Sequence, residues 1–192
     1  MSKRVLLLVT VIGMLAMLTA CGGSDASSEN TTNDAATAAA HAEKPIRHTV
    51  SGPIGVVAID VNGDQQDLSQ WIGQQPTVVN FWGTWCPPCQ REIPDLVKLY
   101  KEYQPQGVEI VSLALEREQD PSRARDKVKG YAARADMQWV MLMGARDMAK
   151  PFRLSGSVPT TIFYDKNGNE VERFIGMRDY ETFKAAFDKL VG

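Results

Sequence analysis

The spacing of apolar residues between positions 51 and 192 predicts an alternation of strands and helices. Short apolar runs bounded by turn residues are typical of strands, and a run that is apolar on both faces indicates a strand buried from both sides. On this basis we predict strands at residues 56–59, 77–82, 108–115, 139–143, 160–164 and 170–174.

Apolar residues three and four positions apart predict helices between these strands. This spacing continues through residues 87–103, where Pro94 should kink the helix. Asp120 and Pro121 are typical of a helix cap and first turn, and they predict a helix that continues to residue 135. The other predicted helical segments are residues 68–72, 146–152 and 180–190.

The order of these elements favours an α/β fold. Strands that alternate with helices usually form a sheet with parallel neighbours. Asn167 and Gly168 are a strong hairpin signal between the last two strands, which should therefore pair antiparallel. We expect a mixed central sheet flanked by helices.

The start of the chain has the character of an export signal. Lys3 and Arg4 precede an apolar run at residues 5–18, which has the length of a signal peptide and is short for a membrane span. The run ends at Leu-Thr-Ala-Cys21, which resembles a bacterial lipoprotein signal that is cleaved before a lipidated cysteine. A plain secretory signal or an uncleaved anchor is the alternative.

The chain beyond Cys21 is rich in Ser, Thr, Asn, Asp and Ala as far as about residue 47, without apolar periodicity. This composition is typical of a flexible tether. We therefore predict a signal peptide at residues 1–20, the lipidated Cys21 with its tether at residues 21–50, and one folded domain at residues 51–192.

The overall composition is that of a globular protein. The chain has 192 residues, 44% of them hydrophobic, and a formal net charge of -2. It lacks the basic patches of a nucleic-acid-binding protein, so that class is excluded. His41 and His48 lie in or beside the tether with no further ligands near them, so we predict no metal site and no cofactor.

Cys86 and Cys89 carry the candidate chemistry. They enclose Pro87 and Pro88 and follow the predicted strand at residues 77–82, so they lie where a strand gives way to a helix. The unpaired backbone N–H groups and the positive dipole end of a helix N terminus both favour a thiolate. The pair is therefore a candidate dithiol/disulfide switch, with a purely structural disulfide as the alternative.

Three features together resemble the thioredoxin fold. The first is Trp85-Cys86-Pro87-Pro88-Cys89 in its strand–helix context, the second is Pro94 in the following helix, and the third is Val158-Pro159-Thr160 before a strand. This likeness implies a thioredoxin-like fold for roughly residues 51–191.

The chain resembles more narrowly the membrane-tethered TlpA/ResA-type thiol-disulfide oxidoreductases. The supporting residues are Glu92, residues 80–86 and residues 106–111. Residues 116–139 fit the helical insertion of that group, and the resemblance also implies an N-terminal extension hairpin.

The resemblance implies that Cys86 is the attacking thiolate and Cys89 the resolving thiol. The same order follows if Cys86 is exposed at the helix start and Cys89 lies one turn further in and more buried. Attack of Cys86 on a substrate disulfide gives a mixed disulfide, which Cys89 breaks by attacking the Cys86 sulfur.

Asn80 stands where ordinary thioredoxins have a buried aspartate, and an amide cannot accept a proton at working pH. Glu92 matches a glutamate of the ResA-type pattern. We expect it to have a raised pKa and to take the proton of Cys89, whose own pKa rises in a poorly hydrated site. A solvated surface position for Glu92 is the alternative.

Pro159 resembles the cis-proline that faces the cysteine pair in this fold. The resemblance implies that the backbone of Val158 pairs with an extended substrate segment. We expect Trp85 at the substrate-binding surface and Trp82 in the core.

Pro87 and Pro88 favour a reducing couple. Neither has a backbone N–H, so fewer donors hold the Cys86 thiolate. A less stable reduced form makes a more reducing couple. The prolines also shape the start of the helix.

The predicted function is therefore a dithiol reductase of extracytoplasmic protein disulfides, with apocytochrome c or another maturation protein as client. An exported pair meets an oxidising compartment. The resemblance implies that electrons come from a membrane donor of the DsbD/CcdA kind. Cys21 would anchor the protein by its lipid, and Gly22, in place of an aspartate, weakly favours the outer membrane.

Three other functions stay open. The first is an oxidant that donates disulfides, against which the two prolines weigh. The second is a peroxidase. The nucleophile of such enzymes is typically the cysteine of a Thr-x-x-Cys pattern, whereas Thr84 lies only two residues before Cys86. The third is a Cu(I) chaperone, although such proteins usually add a histidine and residues 51–192 contain none.

Overall fold

A mixed sheet of seven strands forms the centre of the fold. The computed structural model describes Pro53 and residues 55–192. The predicted signal peptide, the lipidation of Cys21 and the tether at residues 21–50 lie outside the described residues.

The strands follow one another along the chain, but the sheet orders them differently. They are β1 (Val57–Asp60), β2 (Gln65–Asp67), β3 (Thr77–Trp82), β4 (Glu109–Ala114), β5 (Val140–Met143), β6 (Thr160–Tyr164) and β7 (Glu170–Ile175). The sheet order is β2-β1-β5-β4-β3-β6-β7. β3, β4 and β5 are parallel and the other neighbours are antiparallel, which confirms the predicted mixed sheet and both terminal hairpins.

The helices of the described residues are α1 (Pro87–Tyr103), α2 (Pro121–Arg134) and α3 (Tyr180–Val191), with short 3₁₀ turns at Leu68–Gln70, Gln104–Gln106 and Arg146–Ala149. The predicted cap of α2 is confirmed, because the Asp120 carboxylate accepts from the backbone N–H groups of Ser122 and Arg123 at 2.9 and 3.0 Å. α1 continues through Pro94. None of these helices has the length and apolar character that a membrane span requires.

The sequence pattern was wrong in two places. The strand β2 is missing from the predicted element order, because its residues Gln65, Gln66 and Asp67 are polar and carry no apolar signal. The helix predicted at residues 146–152 is only the single 3₁₀ turn Arg146–Ala149, whose one buried residue is Met148.

β3 lies in the middle of the sheet, and all six of its residues are buried. Side chains alternate between the two faces of a strand. Val78 and Trp82 belong to the apolar cluster that packs against α1 and α3, whereas Val79 and Phe81 belong to the cluster on the opposite face. Asn80 therefore points towards α1, into an otherwise apolar layer.

Candidate active site

Cys86 and Cys89 are joined by a disulfide at the N terminus of α1, directly beyond β3. Their Cα atoms are 5.3 Å apart. Cys86 is the N-cap residue, and Pro87 and Pro88 occupy the first two positions of the helix. The Cys89 N–H donates to the Cys86 Sγ at 3.3 Å. Because Pro87 and Pro88 have no backbone N–H, the first N–H of the helix that can reach the cap side chain is that of Cys89.

The exposure predicted for Cys86 is wrong. Its residue is only 3% exposed, and Cys89 is completely buried. The Sγ atom of Cys86 lies 3.8 Å from the carbonyl oxygen of Val158, so a loop from elsewhere in the chain covers part of the sulfur. The residues around the start of the helix do not predict this contact, because the loop comes from a distant part of the chain.

Pro159, directly before β6, faces the cysteine pair. The Val158–Pro159 peptide bond is cis, as the resemblance implied. The Gly176 N–H, just beyond β7, donates to the Pro159 carbonyl oxygen at 2.8 Å. Val158 is half-buried and stays partly accessible beside the Cys86 sulfur.

Two exposed apolar residues near Pro159 were not found by sequence reasoning. Ile175 pairs with Thr160 across β6 and β7, and it is 50% exposed. Met177 follows it at 43% exposure. The hairpin signal that joins β6 to β7 would have placed the end of β7 beside the residue after Pro159.

Glu92 lies one helical turn beyond Cys89 and is 1% exposed, which excludes the solvated alternative. The Asn80 side-chain amide donates to the Glu92 Oε1 at 3.1 Å. Its Oε2 is buried and has no hydrogen-bond partner among the described residues. Glu92 is therefore an under-satisfied acid in the core layer beneath the disulfide.

Burial raises the pKa of Glu92 to about 8, because a carboxylate is poorly stabilised away from water. The Asn80 hydrogen bond and the nearby backbone N–H and positive charge of Arg178 act in the opposite direction and offset only part of this rise. The raised pKa predicted for this carboxyl group is confirmed. At neutral pH the oxidised protein holds Glu92 mainly in its protonated form.

Glu116 is a second residue that sequence reasoning missed. Its side chain is 2% exposed, and it accepts from the Thr84 backbone N–H at 2.7 Å and from the Thr84 hydroxyl at 2.9 Å. The Lys127 Nζ lies 3.4 Å from the same carboxylate. Because the carboxyl ends of the parallel strands β3 and β4 meet at one edge of the sheet, the residue after β4 falls beside the loop that leads to Cys86.

Trp85 is half-buried, whereas Trp82 is completely buried as predicted. The Trp85 indole N–H donates to the Leu115 carbonyl oxygen at 2.7 Å, and the Arg117 guanidinium lies 3.5 Å from the ring centre. A Cβ at Gly83 would come within 2.7 Å of the Trp85 Nε1, so this close approach requires glycine. Trp85 thus flanks the cysteine pair, and its indole N–H is bound to the residue that directly follows β4.

The described residues offer no ready metal site. No group of three or more His, Cys, Asp or Glu side chains among them is arranged to hold a metal ion. The two cysteines are bonded to each other, and both histidines lie outside the described residues.

A cysteine pair at the start of α1, a cis-proline facing it and a mixed sheet of this order define a thioredoxin-like protein with a redox disulfide. The chain belongs to the AhpC/TSA family, whose model matches residues 50–172. The thioredoxin-like resemblance inferred from the sequence is thereby confirmed.

Several relatives carry names for their activity. The chain is 30% identical to the thiol-disulfide oxidoreductase ResA of Bacillus cereus and 31% identical to that of Geobacillus thermodenitrificans. Each match spans 134 residues, which is 70% of this chain and 73% of the relative. A thiol:disulfide interchange protein of the thioredoxin family from Chlorobium tepidum is similar in structure, with a TM-score of 0.61 and 26% identity over 73% of this chain and 97% of that one.

Burial of Glu92 predicts a pH-dependent stability. Between its ordinary pKa of 4.5 and about 8, the folded protein holds a proton that the unfolded chain releases. Stability therefore falls as pH rises through this window. One pKa unit corresponds to about 1.4 kcal/mol, so the loss amounts to a few kcal/mol. Urea unfolding of the oxidised protein at several pH values measures it.

Glu92→Gln should remove most of this pH dependence and make the protein more stable than the wild type near pH 8. Glu102→Gln, an exposed change on the same helix, is the matched control and should follow the wild-type curve. Parallel curves for wild type and Glu92→Gln would show that Glu92 is ionised at neutral pH.

Proposed function

We propose that this protein is an extracytoplasmic dithiol reductase of protein disulfides. The observation that carries the proposal is the cysteine pair at the start of α1, with Pro159 facing it and the buried acid Glu92 one turn beyond Cys89. The ResA relatives are also named for thiol-disulfide oxidoreductase activity.

Reduction of a client begins with the dithiol form. The Cys86 thiolate attacks one sulfur of the client disulfide, which forms a Cys86–client bond and releases the first client thiolate. Cys89 then loses its proton and attacks the Cys86 sulfur, which restores the Cys86–Cys89 disulfide and releases the second client thiolate. Two electrons pass to the client, and the two released thiolates take up protons.

Glu92 serves the Cys89 step. Cys89 is completely buried, so its thiol needs a nearby proton acceptor. Ionised Glu92, on the same helical face, takes that proton. In the reverse half of the cycle an electron donor opens the disulfide, and protonated Glu92 returns the proton to Cys89. A pKa of about 8 holds Glu92 protonated in the oxidised protein, where this second step begins.

The client binds across Pro159. The carbonyl and amide of Val158 are available to an extended client segment, as in strand addition. Ile175 and Met177 supply exposed apolar side chains near Pro159, and half-buried Trp85 directly precedes Cys86. Exposed apolar side chains around a reactive centre mark a protein-binding surface.

Cys21 carries the lipid that holds this domain outside the cytoplasm. The lipoprotein-like end of the signal run supports this placement, including the outer membrane as the final site. An oxidising compartment returns the pair to its disulfide, so a membrane donor of the DsbD/CcdA kind supplies electrons. Apocytochrome c, whose cysteines must be reduced before haem is attached, is the client that suits such a reductase.

The cysteine variants separate the two thiol roles. Cys86→Ser should reduce insulin disulfides no faster than buffer with dithiothreitol, because the attacking sulfur is lost. Cys89→Ser should accumulate a mixed disulfide with its client, since the resolving sulfur is lost. Mass spectrometry of the trapped species identifies the client.

Cys21→Ser is the control for these variants, because it removes the third cysteine and leaves the pair intact. Turnover of hydrogen peroxide at a rate above that of insulin would favour the peroxidase alternative. A mixed disulfide that forms on Cys89 in Cys86→Ser would reverse the assigned roles.

Glu92→Gln should slow the breakdown of a preformed Cys86 mixed disulfide by about 100- to 10,000-fold, the usual contribution of a general base. The first attack by Cys86 should be unaffected. Stopped-flow release of a coloured thiol from Cys86 measures the step, with Glu102→Gln as control. An unchanged rate would remove Glu92 from the mechanism.

The redox potential should lie nearer to thioredoxin, at about -270 mV, than to DsbA, at about -120 mV. An N-cap side chain accepts from the N–H at the second or third helical position. Pro88 occupies the second position, so Pro88→Ala should add a donor to the Cys86 thiolate and raise the potential by about 10–30 mV.

Pro87→Ala is the matched control, because an N–H at the first helical position does not reach the cap side chain. Titration against glutathione measures all three proteins. A wild-type potential near that of DsbA, or equal shifts in the two variants, would contradict the role given to the prolines.

A further inference from the structure

A line of buried hydrogen bonds connects Trp139, which precedes β5, to Glu92 on α1. The Trp139 indole N–H donates to the Ser112 hydroxyl oxygen at 2.8 Å. The Ser112 hydroxyl donates to the Asn80 Oδ1 at 3.5 Å, the longest link. The Asn80 Nδ2 donates to the Glu92 Oε1 at 3.1 Å. All four residues are buried, with Trp139 the most exposed at 7%.

The chemistry of its first member favours one direction for this line. An indole N–H donates and has no acceptor atom. The Ser112 oxygen therefore accepts from Trp139, and the Ser112 hydrogen is donated to the Asn80 Oδ1. If the amide were reversed, the buried Ser112 hydroxyl would face two donors, the Trp139 N–H and the Asn80 Nδ2, and its own hydrogen would lose this acceptor. The network therefore favours the orientation in which the Asn80 amide nitrogen faces Glu92.

Thr161 does not impose this direction. The Asn80 Nδ2 also donates to the Thr161 Oγ1 at 3.0 Å. A hydroxyl both donates and accepts, so Thr161 would tolerate either orientation of the Asn80 amide. Trp139, by contrast, can only donate a hydrogen bond.

The orientation of Asn80 matters to Glu92. A donor N–H stabilises a carboxylate, whereas an acceptor C=O can bond only to the protonated acid. Reversal of the amide would therefore penalise the ionised form of a carboxyl group that is already poorly solvated. Its second oxygen, Oε2, forms no hydrogen bond with the described residues, and the nearby Arg178 backbone N–H and charge offset only part of the desolvation.

We propose that Trp139 and Ser112 are positioning residues: they hold Asn80 as a donor to Glu92 and thereby set the protonation of the acid that serves Cys89. The inference rests on the role proposed for Glu92. It assigns a function to a buried core tryptophan that is connected to Glu92 through Ser112 and Asn80.

The other groups around Glu92 are compatible with this role. β3, β4 and β6 contribute uncharged side chains to the network, namely Asn80, Ser112 and Thr161. Arg178, before α3, contributes a backbone N–H and the positive charge that act on the carboxyl group. Cys89, on the same helix, titrates only after the disulfide is reduced. In the oxidised protein both cysteines are in the disulfide and do not titrate, so the titration of Glu92 can be followed without theirs.

Carbon-13 NMR of the Glu side-chain carboxyl groups, in the oxidised full chain, measures this titration directly. The resonance is assigned by its loss in Glu92→Gln. Trp139→Phe should raise the pKa of Glu92 by about 1, the value of one hydrogen bond to a charged group. The pH midpoint for breakdown of the Cys86 mixed disulfide should move upwards by the same amount.

Ser112→Ala interrupts the same line at its middle and should raise the pKa to a similar extent. It also keeps the test decisive if Trp139→Phe fails to fold. The double variant should show little more than either single change, because both act through one amide. Additive shifts would mean separate effects and would overturn the proposal.

Trp82→Phe is the matched control. Trp82 is a buried tryptophan of the same apolar cluster, it contacts a tyrosine ring as Trp139 does, and its Nε1 has no hydrogen-bond partner among the described residues. The change therefore removes an equal volume without breaking a hydrogen bond, and the pKa of Glu92 should stay in place. Equal shifts in Trp82→Phe and Trp139→Phe would reduce Trp139 to a packing role and overturn the proposal.

Two combinations of the titration and kinetic results distinguish this inference from the proposed role of Glu92. A shifted carboxyl titration with no kinetic effect of Glu92→Gln would support the positioning of Asn80 and remove Glu92 from the mechanism. An unshifted titration with a large kinetic effect of Glu92→Gln would retain Glu92 and overturn the positioning.

Discussion

The register of β3 is the constraint on which the rest of the site depends. β3 is paired with β4 on one side and with β6 on the other, and every one of its residues is buried. A slip by one residue would move Asn80 away from α1 and replace it with an apolar side chain. The same strand leads directly to Cys86, and its partner β6 begins just after Pro159. One register therefore aligns the disulfide, the acid beneath it and the loop that faces it.

Glu92 is a buried acid in a layer that consists mainly of apolar side chains. Glu92 lies among residues such as Ile93 and Leu96, which pack α1 onto β3. A side chain of similar size without charge would remove the desolvation cost, and only one carboxyl oxygen is hydrogen-bonded. Packing gives no reason for an acid at this position. A perturbed pKa next to a redox disulfide is instead what proton transfer to or from Cys89 requires.

Sequence patterns predicted the parts of the site that are local. The start of α1, the cysteine pair and the core position of Trp82 follow from a few consecutive residues, and likeness to a known fold supplied the cis bond at Pro159. The burial of Cys86 did not follow, because a loop from beyond β5 covers it. Glu116 was missed for the same reason, since its contact with Thr84 joins residues 32 positions apart. Contacts of this kind come from strand order, which periodicity does not reveal.

Different groups act on the two cysteines. Cys86 receives one backbone N–H at the helix cap, and Pro88 denies it a second. In the proposed mechanism Cys89 depends on Glu92, for which we propose control from β3, β4 and the residue before β5. The N–H donors at the helix cap act on the stability of the Cys86 thiolate, and so on the direction of electron flow. In the proposed mechanism Glu92 acts as the proton acceptor of Cys89, and so on the pH at which a mixed disulfide is resolved. Because the two sets share no side chain, a change at Pro88 and a change in the Asn80 network should act first on different steps, the stability of the Cys86 thiolate and the deprotonation of Cys89.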